Sequence, residues 1–193
     1  FDTWCKDHEC EISQWRPPIY EDLCRLELKD EPFIYLEFGC YQGRSMRWWL
    51  GLSNHPESRF VGFDSFEGLP ENWGGYSKGH FSTGSQVPDI ADARCRFIKG
   101  WFQESLPEFL KTFTADKRKI IHIDADLFSS AVFVLNELGP HMRAGDLLIF
   151  DEFHVWMDEF RAFQIFLTIF NMEYRVLRRS PDWSQVAIKI LKI

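Results

Sequence analysis

Four acids in two places have the spacing to do chemistry. The stretch "IIHIDADLFSS" (120–130) ends an apolar run in Asp124 and Asp126, one residue apart, and "LLIFDE" (147–152) ends another in Asp151 and Glu152. Short apolar runs of this kind read as buried strands, and a carboxylate carried into such surroundings is costly unless something compensates it. A metal ion, a shared proton, a cationic ligand or a strand end open to water would each serve.

A second constellation lies upstream. In "LEFGCYQGRS" (36–45), Gly39 and Gly43 fall four apart between an apolar strand and a helix. Glycine there lets the backbone turn sharply and approach a ligand closely. Tyr41 occupies the middle glycine position of the dinucleotide fingerprint, which argues against a pyrophosphate ligand. Alone, the loop is equally a plain tight turn. Asp64, closing "RFVGFD" (59–64), changes that balance, because an acid at the end of the second strand can accept from both hydroxyls of a ribose. An Asx-type turn at "DSFEGLP" is the competing reading. Glycine loop and acid together point to an adenosine-containing ligand, and Glu37 beside the loop suits a cationic amino group better than a phosphate.

The elements that must position these residues alternate regularly. Buried strands are predicted at 33–39, 59–64, 95–100, 119–124 and 145–152. Helices are predicted from Pro17-Pro18 onward and at 44–52, 104–113, 128–138 and 155–170. Two further strands, 173–179 and 184–191, are separated only by "SPDW", which predicts a terminal antiparallel hairpin. The pattern is that of an α/β, doubly wound sheet, whose ligands bind at the carboxyl ends of the strands. Every conspicuous polar feature sits at such an end. The segment 65–94, rich in Gly, Ser, Asn and Pro at its start, is a long loop or lid, and residues 1–30 form a helical extension of what reads as a single domain over 1–193.

Composition removes other classes. A net charge of −7 argues against a nucleic-acid or anionic-membrane surface. No apolar stretch approaches the roughly 20 residues of a membrane span, and no signal-peptide pattern opens the chain. The chain begins at Phe1, which leaves room for a native segment ahead of it. Cys5, Cys10, Cys24, Cys40 and Cys95 are odd in number and scattered, as expected of reduced thiols in a cytoplasmic protein. A zinc site on Cys5, His8 and Cys10 lacks a fourth ligand at a usual spacing. With 19 Phe and 8 Trp, some rings remain after the core is filled to line a pocket for a ring-shaped or sugar-like substrate.

The blocks "LEFGCYQGRS", "FVGFDSFEGLP", "FIKGWFQESLP", "IHIDADLFSS" and "LLIFDEF" resemble, in order and spacing, the macrocin O-methyltransferase-like family over about residues 30–165. These are class I S-adenosylmethionine-dependent, metal-dependent sugar O-methyltransferases. The resemblance implies a Rossmann-like, seven-stranded, mostly parallel sheet of order 3-2-1-4-5-7-6. It implies Glu37, Gly39, Gly43 and Ser45 around the methionine part of the cofactor and Asp64 at the ribose. Ser65, Phe66, Trp101 and Phe102 would lie near the adenine, with Tyr41 and Asp124 completing the cofactor contacts. The chain departs from the family in having Ala125 where a glycine is usual between the two acids, and Asp151-Glu152-Phe153 where Asp-Asp-Tyr is usual. The family's substrate-binding N-terminal region is not recognisable in residues 1–30.

With the fourth and fifth strands as neighbours, about 4.8 Å apart, Asp124 and Asp151 can converge on one ion, with Glu152 as third ligand. Three carboxylates suit Mg²⁺, Mn²⁺ or Ca²⁺ rather than zinc; helix capping is the alternative use of these acids. Asp126 is then the candidate general base for a hydroxyl of a sugar or glycosylated small molecule. His154 is a rival base, His122 reads as a core histidine, and His80 lies in the long loop. A metal-dependent nucleotide-sugar glycosyltransferase and a non-catalytic methyltransferase-like binding module are the competing functions. The expected partner is a small sugar-containing acceptor, with neither nucleic acid nor membrane; assembly into a homo-oligomer is compatible with the sequence.

Overall fold

Alternate residues of the buried strands divide the interior into two apolar layers, one on each side of a sheet. The computed structural model describes residues 1–8, 10–14 and 16–193. Its strands are β1 (Glu11–Ile12), β2 (Phe33–Phe38), β3 (Arg59–Asp64), β4 (Cys95–Lys99), β5 (Arg118–Ile123), β6 (Leu147–Phe150), β7 (Glu173–Arg179) and β8 (Val186–Lys192). Its α-helices are α1 (Asp2–Asp7), α2 (Arg16–Asp22), α3 (Arg44–Leu52), α4 (Phe102–Leu110), α5 (Phe128–Leu138) and α6 (Glu159–Phe170). A π-helical stretch, Leu23–Leu28, continues α2.

The sheet runs β1-β7-β8-β6-β5-β2-β3-β4, with β8 antiparallel to both of its neighbours. Leaving out β1, this is the expected order with its hairpin. The difference is an eighth strand: β1 joins the outer edge, parallel to β7, with Ile12 opposite Arg179. Two residues are too few for a strand pattern to be legible.

On one side of the sheet, Leu36, Phe38, Ile121, Ile123, Leu148 and Phe150 pack under α4, α5 and α6. On the other, Phe33, Tyr35, Ile120, Leu147 and Ile149 pack under α2 and α3, against Ile19, Tyr20, Met46 and Trp49. Side chains alternate along a strand. Continuing the second series toward the carboxyl ends gives Glu37 after Tyr35, then His122 and Asp124 after Ile120, and Asp151 after Ile149. The chemistry-bearing side chains therefore share the face that α2 and α3 cover.

The expected strand 145–152 is shorter, 147–150, and the helix expected from 155 begins at Glu159. The cause is local. The Asp151 N–H still reaches the Ile123 carbonyl at 3.1 Å, but it and the Glu152 N–H also donate to the Glu159 carboxylate, and the ladder ends there. The segment 65–94 is folded upon itself: the Leu69 N–H donates to the His80 carbonyl at 2.9 Å, and the Trp73 indole donates to Asp158 at 2.9 Å. The five cysteines are free, and no helix among the described residues is long and apolar enough to cross a membrane.

Candidate active site

The two acids left by the buried strands are compensated by an arginine. Arg16, the first residue of α2, places Nη1 3.2 Å from Asp124 Oδ2, and its Nη2 pairs with Asp151 Oδ2. Gln185, in the turn entering β8, donates Nε2 to the other oxygen of Asp151. Two tight turns of chemistry thus meet one cation from a helix start that the sequence marks only by its prolines.

His122 lies directly below. It is fully buried, with Nδ1 2.7 Å from the Tyr35 hydroxyl, and its Nε2 has no hydrogen-bond partner. One donor atom each from His122, Asp124 and Asp151 falls within 4.8 Å of the others. Burial, aided by the Arg16 charge, pushes the His122 imidazole down to about 3. A base whose folded pKa is depressed stabilises the fold above its unfolded value and loses that contribution as pH falls toward the folded one. Between about pH 6.5 and 3 this group should therefore take up one proton on unfolding. The slope of stability against pH in that window, from urea melts, is expected to be shallower by one proton in His122→Gln. An unchanged slope would show that the histidine is not held neutral.

Glu159, the first residue of α6, holds the two acid-bearing turns together. It is fully buried; Oε1 accepts the Ala125 N–H at 3.1 Å, and Oε2 accepts those of Asp151 and Glu152 at 3.2 and 3.3 Å. Burial, and then the neighbouring Asp124, raises its pKa well above the usual carboxylate range. Glu159→Ala takes the acceptor from the Ala125 and Glu152 N–H groups, while Asp151 keeps its bond to the Ile123 carbonyl at 3.1 Å, and each buried unpaired donor costs about 1–3 kcal/mol. Urea unfolding of that variant should show a loss of at least about that size; a loss under ~0.5 kcal/mol would mean water replaces the carboxylate.

Asp126 follows on the same turn, in a left-handed conformation with φ 59°. Burial pushes its carboxyl up to about 8, reinforced by Asp124 and Glu152. Burial likewise lifts Asp124 to about 6, against the pull of Arg16. Glu152 stands apart from the His122–Asp124–Asp151 group, its Oε2 3.8 Å from His154 Nδ1. His154 is largely exposed, and His80 packs against Tyr76 and Phe81 in the long loop.

The glycine loop forms the opposite wall. Gly39 turns with φ +94°, and a Cβ there would lie 1.8 Å from the carbonyl oxygen of Asp124, so only glycine lets the two turns touch. Asp64 ties the loop down: Oδ2 accepts the N–H groups of Cys40 and Tyr41, both at 2.8 Å, and Oδ1 that of Phe66 at 2.7 Å. A carboxylate has about four acceptor sites, so these backbone donors leave little of Asp64 for a ligand. Glu37 is 1% exposed, and its Oε2 has no partner. Burial, followed by the Asp124 charge, holds its pKa well above the ordinary range.

Between the walls lies a cleft of about 760 Å³. Glu37, Gly39, Tyr41, Ser45, Asp64, Ser65, Trp101, Phe102, Asp124, Asp126 and Glu152 all border it, as does Arg16. Three expected site residues do not. Phe66 is buried against Phe97, Gly43 starts α3 beside Pro88, and Asp151 is 2% exposed behind Arg16. Leu69, Pro70 and Phe81 of the long loop border the cleft as well.

Residues 36–153, more than half of the chain, match the family described as a methyltransferase domain. The chain belongs to that family. Among curated proteins, the domain is 31% identical over 80 residues to the demethyldecarbamoylnovobiocin O-methyltransferase of Streptomyces niveus, covering 38% of this chain and 29% of that protein. It is 29% identical over 66 residues to a rhamnosyl-tetracenomycin-C 4'-O-methyltransferase of Streptomyces olivaceus, covering 34% of this chain and 24% of that protein. The aligned stretches span less than a third of either relative. Among solved structures, the O-methyltransferase NovP aligns with a TM-score of 0.71 at 20% identity, covering 92% of this chain and 80% of that one. The calicheamicin methyltransferase CalS11 aligns with a TM-score of 0.70 at 21% identity, covering 89% and 77%. At such identities the likeness establishes the fold. The family shown is the broad methyltransferase domain; the narrower macrocin-type group is a matter of proposal.

The methyltransferase domain's acids fit a hard divalent cation by donor type, since Asp124 and Asp151 offer carboxylate oxygens. The third member of their group is His122 rather than Glu152, and the positive charge between the two carboxylates is that of Arg16. For an adenosyl ligand that carries an amino acid, the fit rests on Glu37, whose unpartnered, buried oxygen at the cleft wall suits an ammonium group.

Proposed function

We propose that this domain transfers a methyl group from S-adenosylmethionine to a hydroxyl of a sugar or glycosylated small molecule. The observation that carries the reading is one cleft holding, on one wall, Glu37 and the Gly39 turn and, on the other, Asp126. Glu37 takes the cofactor's ammonium, Ser45 borders its methionine part, the remaining acceptor site of Asp64 meets the ribose, and Ser65, Trp101 and Phe102 flank the adenine. The acceptor hydroxyl gives its proton to Asp126 as its oxygen attacks the sulfonium methyl in line. The methyl–sulfur bond breaks, and neutral S-adenosylhomocysteine leaves. No covalent intermediate on the protein is needed; positioning and electrostatics supply the rate.

Asp124 and Asp151, with Glu152 at the cleft wall, would hold a divalent cation such as Mg²⁺, which when bound lowers the pKa of a coordinated hydroxyl. A sugar-bearing acceptor is supported by the name of one curated relative, a rhamnosyl-tetracenomycin-C 4'-O-methyltransferase. Residues 1–30 and the loop 65–94 would form the acceptor side of a single domain.

Calorimetric titration separates this reading from its rivals. S-adenosylhomocysteine is expected to bind and UDP is not. Binding of UDP instead would favour glycosyl transfer, and binding of neither would leave a non-catalytic module.

A further inference from the structure

We infer that Arg16 is an internal cation that competes with divalent ions for Asp124 and Asp151, so that its guanidinium must leave before an ion can bind there. The inference rests on the reading that these two carboxylates accept a metal, and adds what holds them in its place. The guanidinium spans the carboxylates, 3.2 Å from Asp124 Oδ2 and paired with Asp151 Oδ2. Asp151 is 2% exposed, and its second oxygen accepts from Gln185, so the oxygen most open to an ion is the one Arg16 holds. His122 Nε2, buried and unpartnered, completes a group whose donor atoms lie within 4.8 Å of one another. An ion drawn to this group would share the space between the carboxylates with a positive charge, and the two repel.

The exchange must be local. Upstream of Arg16, β1 pairs with β7 and the Ser13 N–H donates to Arg179 at 2.8 Å. Downstream, Ile19 and Tyr20 of α2 are fully buried against α3. Both flanks are held, so the side chain swings while its helix stays docked. Arg16 borders the cleft, and its side chain retains 21% exposure, which gives it somewhere to go. Divalent affinity would then be set by the strength of an ion pair and not by the carboxylates alone.

Direct Mn²⁺ binding to the full chain, counted by electron paramagnetic resonance of the free ion, tests this without recourse to activity. Arg16→Gln, which keeps size and hydrogen bonding but not charge, and Arg16→Ala are compared with the unaltered chain and with the double variant Arg16→Gln/Asp151→Asn, their folding checked by circular dichroism. Both single variants are expected to bind Mn²⁺ at least tenfold more tightly than the unaltered chain, and the double variant is expected to lose that gain. Equal or weaker binding in both single variants, with binding in the unaltered chain and none in the double variant, would overturn the competition while leaving the metal reading intact. No binding to any form would overturn both.

Discussion

Asp126→Asn is expected to lower kcat by about 10²–10⁴-fold while leaving S-adenosylhomocysteine affinity unchanged, the range typical of a lost general base. The substitution is close to isosteric, and asparagine tolerates the left-handed backbone that Asp126 adopts at φ 59°. The turn between β5 and α5 therefore keeps its shape, and what is lost is the ability to accept a proton. Asp126 borders the cleft without belonging to the group that Arg16 spans, and burial lifts its carboxyl to about 8, so its ionised form is a stronger base than an ordinary carboxylate. Steady-state kinetics alongside calorimetry check this. A kcat within threefold of the unaltered enzyme would transfer the role elsewhere, with His154 the first residue to examine. A parallel loss of cofactor affinity would mean that the turn itself had moved.

Gly39→Ala should be the most damaging small substitution in the domain. The residue sits at φ +94°, and the added Cβ would lie 1.8 Å from the carbonyl oxygen of Asp124. Backbone strain and overpacking each cost about 1–3 kcal/mol, so a combined loss of about 2–6 kcal/mol is expected in urea unfolding. Relief requires the glycine loop and the acid-bearing turn to separate, and that opens the cleft between Glu37 and Asp126. Cofactor affinity should fall with stability. A variant with less than ~1 kcal/mol lost and normal affinity would show that the two turns do not need their contact.

The fold was legible because its signals are long and repeated. Apolar runs such as Ile120–Ile123 and Leu147–Phe150 end in conspicuous acids, and the turn "SPDW" is too short for anything but a hairpin. Alternation along those runs also puts His122 and Asp124 on one face. The missing part of the site came from residues whose sequence context points elsewhere. Arg16 precedes two prolines and reads as a helix start; only the packing of α2 over β5 and β6 brings it to Asp124 and Asp151. Glu159 falls inside the helix expected over 155–170, with nothing in its sequence context to mark it, yet it spends its oxygens on the backbone of two other turns. Asp64 illustrates the converse. Its position at the end of β3 was legible, but an Asx-like grip on Cys40, Tyr41 and Phe66 takes most of its capacity.

The most direct test of the central claim is a crystal structure of the domain with S-adenosylhomocysteine. The expected complex places the ligand's ammonium within hydrogen-bond distance of Glu37, about 2.7–3.2 Å. Its ribose lies at Asp64, its adenine beside Trp101 and Phe102, and its sulfur faces Asp126 across the cleft. A ligand bound outside the cleft, or bound within it with the sulfur turned away from Asp126, would contradict the account.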